Sequence, residues 1–208
     1  MLAISHLALV ALAILPLVSV AGQTENKHHL DPLDPKCPQG QYPGFEVNTF
    51  QFDVPAAKFY DATGSFFHSE WYSGPIASTH GKDNTPGATR NATFNGTTYR
   101  ERLVEYSRSP SKLILRYTLD SGLVVFVTGA GPHDTIAFGS YTEELGLYSI
   151  CAGRATYFTL TAVYCTDKVA TAYDGYDRLK RAAIADVAVA VGAKVFDGTC
   201  RTAASQVY

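Results

Sequence analysis

The chain has 208 residues, of which 46% are hydrophobic and 12% aromatic, and this suits one domain with a sizeable core plus a processing segment. The formal net charge of -2 argues against binding to nucleic acid or to an anionic membrane, since such surfaces carry a clear excess of positive charge. We therefore expect no nucleic acid among the partners.

The first residues form an apolar run, residues 2–20, that ends in small residues. Such a run followed by small residues is typical of a secretory signal peptide. It is also shorter than the ~20 residues that a membrane span needs. We predict a signal peptide over residues 1–22, no membrane span in the mature protein, and a location outside the cell or in the lumen of the secretory pathway.

Glycosylation motifs and cysteines agree with that route. Asn91-Ala-Thr93 and Asn95-Gly-Thr97 are both acceptor sequences, so Asn91 and Asn95 are predicted glycosylation sites. The cysteine count is even, which in an oxidising compartment predicts two disulfides. No Cys-x-x-Cys spacing occurs, so we expect no metal site. The four cysteines are Cys37, Cys151, Cys165 and Cys200.

The amino-terminal part of the mature chain predicts a lead-in followed by mixed structure. Residues 23–45 are polar and rich in proline, so we expect an extended lead-in before a single domain over residues 46–208. Alternating residues predict a first strand over 46–54. Pro55 then opens a short helix, because proline suits the first helical turn. Aromatic residues predict a second short helix over 65–72.

The middle of the chain consists of short alternating runs separated by turn residues such as Asn95-Gly96 and Asp120-Ser121-Gly122. This pattern marks antiparallel hairpins. The last predicted strand is the longest, and the two before it are weaker. The predicted strands cover residues 76–80, 88–94, 97–106, 112–119, 122–128, 135–141, 145–151 and 155–165.

A long helix is predicted over residues 169–196, roughly 40 Å in length. Thr166 or Asp167 can cap its start, and Gly198 stands where a helix end is expected. The order of elements predicts an α+β helix-grip fold, in which a curved antiparallel β-sheet wraps around the long C-terminal α-helix and two short helices follow the first strand. The inner face of the helix is predicted to be Tyr173, Tyr176, Leu179, Ala183, Val187 and Ala190.

Several short stretches carry a family resemblance. They are Glu70-Trp71, Gly74-Pro75, residues 84–90, Gly96 and residues 100–106. Through them the chain resembles the START-like, Bet v 1-like superfamily, which includes polyketide cyclase/dehydrase-type proteins, and a looser match extends over residues 46–194. The resemblance implies a hydrophobic cavity between sheet and helix, a hydrophobic small molecule as ligand, and no cofactor. The signal peptide and the cysteines are departures, because many relatives are intracellular and lack disulfides.

The disulfide pairing follows from the predicted elements and this fold. Cys165 and Cys200 lie at opposite ends of the helix, ~40 Å apart. Cys151 and Cys165 lie almost a full strand apart, ~30 Å. A disulfide needs Cα atoms within about 7 Å, which excludes both pairs. A helix-grip sheet places the first strand beside the last, so the predicted disulfides are Cys37–Cys165 and Cys151–Cys200.

Arg90 is a candidate catalytic residue with two open interpretations. It sits in a predicted strand between Ala88 and Ala92, from which it either points into the cavity and anchors a carboxylate or enolate oxygen, or forms a buried salt bridge. The partner in the salt bridge would be Glu101 or Glu105. Charges occur on both faces of residues 97–106, so the alternation does not show which face lines the cavity.

Two further candidates for acid–base chemistry are Glu101 and His80. His80 could form an acid–base pair with Asp83 on the rim of a turn, and the favoured alternative is a solvated turn. His68 and Glu70 could supply two metal ligands, but we interpret them as the polar ends of a short helix. Tyrosine combines an apolar body with one polar tip, which suits an oxygenated hydrophobic ligand. The expected pocket has a few hundred Å³. Its predicted ligand-binding residues are Trp71, Tyr157, Phe158, Tyr173, Tyr176 and Leu179.

No Gly-x-Ser-x-Gly, phosphate-loop or Gly-x-Gly-x-x-Gly motif occurs, which disfavours covalent hydrolases and nucleotide-dependent enzymes. The leading hypothesis is a secreted cavity protein that promotes cyclisation or isomerisation of a polyketide- or terpenoid-type secondary metabolite. The alternative is a non-catalytic extracellular carrier of a lipid, sterol or secondary metabolite. A third hypothesis, an interaction protein with a filled core, predicts no cavity. The oligomeric state stays open.

Overall fold

The structure is a computed structural model that describes residues 36–128, 131, 134–198 and 200. The predicted signal peptide and residues 23–35 of the lead-in lie outside the described residues. The elements in chain order are β1 (Tyr42–Phe52), α1 (Ala56–Thr63), α2 (Glu70–Ser73), β2 (Ile76–His80), β3 (Thr89–Phe94), β4 (Thr97–Ser109), β5 (Lys112–Leu119), β6 (Val124–Val127), β7 (Thr135–Ile150), a single 3-10 turn (Cys151–Gly153), β8 (Ala155–Thr166) and α3 (Val169–Ala190).

The strands form one antiparallel sheet in the order β1-β8-β7-β5-β4-β3-β2, and β6 pairs with the first part of β7. The sheet is curved, and α3 packs against its concave face over β1 and β8. The helix-grip α+β fold predicted from the order of elements is therefore confirmed. β1 begins at Tyr42, so residues 42–45, which were expected in the lead-in, belong to the sheet.

One strand was predicted as two. β7 runs without interruption over 16 residues, through the Glu143-Glu144 pair that separates the two predicted strands. The sheet accommodates both charges because they point to opposite faces. Glu143 is buried on the concave side, whereas Glu144 forms an ion pair with Arg116 on the convex side. Two consecutive charged residues are thus compatible with a strand, because successive side chains point to opposite faces.

The long helix is shorter than predicted, since α3 ends at Ala190 and measures ~33 Å. Gly192 rather than Gly198 ends it, with a positive φ of 69°. The amide of Ala193 donates to the Ala188 carbonyl and that of Gly192 to the Val189 carbonyl, which is the Schellman arrangement. The N-cap position is Lys168 rather than Thr166 or Asp167.

The buried face of α3 is rotated from the predicted one. Its buried residues are Ala172, Lys180, Ile184, Val187 and Ala188, whereas Tyr173 and Leu179 are largely exposed. The prediction counted apolar residues only and therefore left Lys180 out of the inner face. In the structure the aliphatic stem of this lysine follows the buried face, and its charge meets a carboxylate on the sheet.

The second short helix is also shorter than predicted, because Asp83 and Asn84 hold the chain before it in a non-helical form. The Asp83 carboxylate accepts hydrogen bonds from the Ser65 hydroxyl and the Phe67 amide, and the Asn84 side chain accepts one from the Phe66 amide. These bonds replace the first helical turn, so that α2 contains only Glu70–Ser73.

Two disulfides fasten the ends of the helix-and-strand unit. They join Cys37 to Cys165, with Cα atoms 5.3 Å apart, and Cys151 to Cys200, with Cα atoms 5.0 Å apart. These are the same two pairs that the sequence analysis predicts. After α3 the chain also pairs with the end of β1, through a bridge between Phe52 and Val195.

Candidate functional site

A cavity of about 130 Å³ lies between α3 and the concave face of the sheet. This is the place where the fold predicts one, and its existence contradicts the hypothesis of a filled core. The volume is smaller than the expected few hundred Å³, because several aromatic rings project into the space. The residues that line it are Tyr72, Ser73, Phe94, Tyr99, Glu101, Phe126, Thr128, Ile136, Phe138, Tyr141, Glu143, Thr171, Ala172, Gly175, Tyr176 and Leu179.

The cavity opens beside the first half of α3. Thr171, Gly175 and Leu179 follow one another at four-residue steps, so they lie on one helical face and form one wall of the opening. Leu179 is 43% exposed and Thr171 is also exposed. A Cβ atom placed on Gly175 would meet nothing within 4 Å. Packing therefore does not require glycine there, and its missing side chain leaves the opening wide.

Glu143 is the most unusual polar group of the wall. It is 5% exposed, and its Oε2 atom accepts hydrogen bonds from the hydroxyls of Tyr72 and Tyr117. Burial raises the pKa of Glu143 from 4.5 to about 7, although the charge of Lys180 and a hydrogen bond from Tyr176 lower it in part. A carboxyl group with a pKa near neutrality both accepts and donates protons readily at physiological pH.

Glu101, the second carboxyl group of the wall, has a direct cationic partner. Arg90 Nε donates a 2.6 Å hydrogen bond to Glu101 Oε2, and the Tyr141 hydroxyl donates one of 2.7 Å to Oε1. The guanidinium also donates to the Phe66 carbonyl and contacts the rings of Phe66 and Tyr117, 4.5 and 4.7 Å from their centroids. Of the two interpretations of Arg90, the structure therefore shows the buried salt bridge with Glu101.

Arg90 does not line the main cavity. It lies at a second, smaller space of about 20 Å³, which it shares with Trp71. Its Nε and Nη1 atoms bind Glu101 and the Phe66 carbonyl, whereas Nη2 has no hydrogen-bond partner among the described residues. The ambiguity in β4 is also resolved. Tyr99 and Glu101 face inward, whereas Arg100 and Arg102 bind Asp120 on the outside.

The tyrosines of the wall act as hydrogen-bond donors. Burial raises the pKa of Tyr141 and Tyr176 well above the usual value, and the neighbouring carboxylates Glu101 and Glu143 raise it further. Burial likewise raises the pKa of Tyr99, whose hydroxyl donates to the Ser73 carbonyl. These phenols stay protonated at every physiological pH, so they can stabilise a negative oxygen but cannot serve as bases.

His80 lies outside the cavity. It ends β2 and is exposed, and the Asp83 carboxylate next to it binds Ser65 and Phe67 instead of a histidine. The pair proposed for acid–base chemistry is therefore not formed, because Asp83 has a structural role. Among residues 36–128, 131, 134–198 and 200, no group of three or more His, Cys, Asp or Glu side chains is arranged to hold a metal ion.

The predicted ligand-binding residues divide into two groups. Tyr176 and Leu179 line the cavity. Phe158 is instead buried against Phe50 and Phe59, and Tyr157 packs beside Tyr148. The remaining two, Trp71 and Tyr173, also lie outside the main cavity, because Trp71 borders the smaller space and Tyr173 is 49% exposed. Tyr157 and Phe158 were predicted wrongly as cavity residues because β8 has apolar residues on both faces, so its sequence does not show which face points to α3.

Sequence reasoning missed Tyr72, Tyr99 and Glu143. Tyr72 was taken only as a crowded aromatic of a longer helix, and Glu143 fell between two predicted strands. A continuous strand would have placed Tyr141, Glu143 and Leu145 on one face, since side chains alternate. This alternation with a period of two residues could have predicted that Glu143 lines the cavity.

Comparison with known proteins identifies the fold. The sequence matches no protein-family model and no curated protein. A solved structure of a Nitrosospira multiformis protein is 18% identical with a TM-score of 0.51, covering 78% of this chain and 99% of that one. The Bacillus cereus protein XoxI is 11% identical with a TM-score of 0.50, covering 71% and 95%. The ZhuI aromatase/cyclase from Streptomyces sp. R1128 is 13% identical with a TM-score of 0.45, covering 73% and 93%.

Identities this low establish the fold and no activity. The chain shares its fold with the Nitrosospira multiformis protein and with XoxI, and its helix-grip architecture is the one that the resemblance in sequence implied. Within the described residues, no helix is long and apolar enough to cross a bilayer.

Proposed function

We propose that the protein binds a small oxygenated hydrophobic compound of polyketide or terpenoid type and promotes its isomerisation or cyclisation without a cofactor, with Glu143 as general acid and base. The observation that carries this proposal is a buried carboxyl group with a pKa near neutrality in the wall of an apolar cavity. The cavity volume of about 130 Å³ resembles that of a cavity which holds one benzene molecule, ~150 Å³. The reacting part of the ligand is therefore one ring or a short chain.

The chemistry would be a proton shift next to a carbonyl group. Ionised Glu143 removes a proton from the carbon beside the carbonyl, so that the electrons move onto the carbonyl oxygen and an enolate forms. Once Glu143 is protonated, the hydroxyls of Tyr72 and Tyr176 are released from its negative charge and can turn to the enolate oxygen. Glu143 then returns the proton to another carbon of the ligand. No oxidant or reductant is needed, and exclusion of water strengthens each hydrogen bond.

The test uses a one-ring ketone that reports such a shift. Cyclohex-3-en-1-one is converted into its conjugated isomer, cyclohex-2-en-1-one, and the absorbance of the product gives the rate. We expect the intact protein to accelerate the reaction, with a rate that rises as Glu143 ionises near pH 7. Glu143→Gln should slow it by about 10²–10⁴-fold, the usual contribution of a general base. A rate equal to that of buffer would reject the catalytic function.

A carrier is the second candidate. It is favoured because polar groups of the cavity wall already have hydrogen-bond partners within the protein and are not free to act on a ligand. Arg90 and Tyr141 already occupy Glu101, and the Tyr99 hydroxyl binds backbone. Trp71 is the only tryptophan, and its ring lies 5.3 Å from that of Tyr72, so its fluorescence should report binding. Binding of p-cresol without isomerisation of the ketone supports the carrier. Absence of binding by both p-cresol and toluene contradicts either function.

We also propose that this function is carried out in an extracellular or lumenal compartment. The two disulfides are compatible with an oxidising compartment, and the apolar run over residues 2–20 provides the expected signal. Asn91 on β3 is partly exposed, and Asn95 lies in the turn that follows. Expression in a eukaryotic secretory host should give a protein lacking residues 1–22. Its mass should fall on deglycosylation, and less so in the Asn91→Gln and Asn95→Gln variants.

A further inference from the structure

A buried ion pair that does not touch the cavity lies beneath α3. Lys180 is 0% exposed, and its Nζ atom lies 3.8 Å from Oε2 of Glu46 on β1, which is 2% exposed. Within the described part of the chain, this Nζ atom has no hydrogen-bond partner, and Asn48 is the side chain that offers one to the Glu46 carboxyl group. A buried pair with so few hydrogen bonds recovers little of its desolvation cost, so stability alone does not account for it.

Tyr176 connects this pair with the cavity. The Lys180 Nζ atom lies 4.6 Å from the centroid of the Tyr176 ring, and the hydroxyl of the same tyrosine hydrogen-bonds Glu143 in the cavity wall. The positive charge of Lys180 acts on the carboxyl groups of both Glu46 and Glu143. Two buried carboxyl groups from different strands thus share one ammonium group.

We propose that Glu46 is a positioning residue that sets the charge of Glu143 through their shared counter-ion, Lys180. This inference rests on the proposed function, because it concerns the same cavity carboxyl. When Glu46 is ionised, it neutralises much of the lysine charge, and Glu143 holds its proton more readily. When Glu46 is neutral, Lys180 acts on Glu143 alone and favours its ionised form. The two carboxyl groups therefore titrate as a coupled set.

The other groups that face Glu143 leave this coupling intact. Burial and nearby carboxylates raise the pKa of Tyr117 and Tyr176, so both phenols stay protonated throughout the relevant pH range. Asp177 and Arg181 act on Glu46, but they bind each other near the surface. The groups that face Glu143 are Tyr72 from α2, Tyr117 from β5, and Tyr176 and Lys180 from α3, with Glu46 of β1 beyond the lysine.

The test is a direct titration of the Glu143 carboxyl carbon by ¹³C NMR in the full, disulfide-bonded protein. The signal is identified by its loss in Glu143→Gln. We expect Glu46→Gln to lower the pKa of Glu143 by roughly half a unit or more, because the lysine is no longer shared. Lys180→Met should raise it by about one unit or more, because the nearby cation is lost. Arg178→Gln, which removes an exposed charge of the same helix, serves as the control and should leave the pKa unchanged.

Opposite shifts separate an electrostatic role from a structural one. Loss of packing would destabilise both variants without moving the pKa in opposite directions, so shifts of equal sign, or no shift, overturn the proposal. The double variant Glu46→Gln/Lys180→Met leaves no unpaired charge and carries the test if a single variant fails to fold. Its Glu143 pKa should lie above the wild-type value, because the lysine is the stronger influence, and an unchanged value overturns the proposal. The titration needs no ligand, so a failure of the proposed catalysis would be seen separately.

Discussion

The Tyr117 hydroxyl donates a 3.2 Å hydrogen bond to the Glu143 carboxyl group. The ring of the same tyrosine covers the guanidinium of Arg90, whose centre lies 4.7 Å from the ring centroid. One side chain therefore stands between the two carboxyl groups of the cavity wall. Glu101 on one side has a direct cationic partner, whereas Glu143 on the other side is held by phenols. This difference suits Glu101 to a structural role in a salt bridge and Glu143 to proton transfer.

The first prediction concerns stability and pH. Burial raises the pKa of Glu143 from 4.5 to about 7, so the folded chain holds a proton that the unfolded chain has already lost. The folded state is therefore stabilised below pH 4.5, loses this advantage as the pH rises to about 7, and loses no more above it. Relative to wild type, Glu143→Gln should gain about 3 kcal/mol in the free energy of unfolding between pH 4.5 and 8.

Urea unfolding of both proteins at the two pH values measures this gain. Titrating groups that do not interact with Glu143 are present in both proteins and cancel in the difference, whereas the coupling between Glu143 and Glu46 remains part of it. A difference that stays constant with pH would show that Glu143 titrates at its ordinary pKa in the folded state.

The second prediction separates a buried pair from an exposed one. Arg90→Ala leaves Glu101 buried without its cation and should lower the free energy of unfolding by about 3–5 kcal/mol. Arg100 lies on the same hairpin and binds Asp120 on the surface, so Arg100→Ala should cost about 1 kcal/mol or less. Chemical denaturation compares the two variants. Equal losses would mean that burial of the Arg90–Glu101 pair has no energetic effect.

The third prediction concerns the opening of the cavity. Gly175→Ala should raise the free energy of unfolding by about 0.8–1 kcal/mol, because alanine is the better helix former and its Cβ atom meets no neighbour. Gly175→Phe should fill the opening and slow the association of p-cresol, followed by Trp71 fluorescence in stopped flow. Ala182→Phe, on the exposed side of the same helix, is the matched control. If both phenylalanine variants bind at the wild-type rate, the ligand enters elsewhere.

The fourth prediction concerns the disulfides. Peptide mapping without reduction should recover peptides that join Cys37 to Cys165 and Cys151 to Cys200. Replacing either pair by alanine should cost about 2–5 kcal/mol. The Cys37–Cys165 pair should cost about 1 kcal/mol more, because it closes a loop with a separation of 128 residues rather than 49. Recovery of a Cys151–Cys165 peptide would contradict the strand and helix positions described above.

The sequence predicted the elements whose periodicity is regular. The hairpin at Asn95-Gly96 and the order of strands follow from turn residues and alternation, both of which are local properties. The positions of buried charges could not be predicted in the same way. Lys180 interrupts an apolar face, and its partner Glu46 belongs to β1, which is far from α3 in the sequence although the two side chains meet in the fold. A local pattern assigns such a lysine to solvent, because nothing near it in sequence shows its partner.

The same contrast between local patterns and distant contacts explains why only part of the candidate site was predicted. Tyr176 and Leu179 were found because the helix is amphipathic, and Glu101 because it lies in a clear strand. Glu143 was missed because it and Glu144 fall in the gap between the strands predicted over residues 135–141 and 145–151. Only the antiparallel pairing of β7 with β5 and β8, which depends on distant residues, shows that the strand continues through them.

The adjacency of Glu143 and Glu144 also limits how this chain can change by insertion or deletion. One residue gained or lost within β7 would exchange the two faces of the strand beyond that point. A deletion just before Glu143 would bring Glu144 to the cavity in its place. The residues that follow in β7 would then turn their convex-side side chains toward the cavity. The wall can thus be altered by substitution alone, whereas a change in length within β7 needs a compensating bulge, like the register shift already present between Phe138 and Ser140.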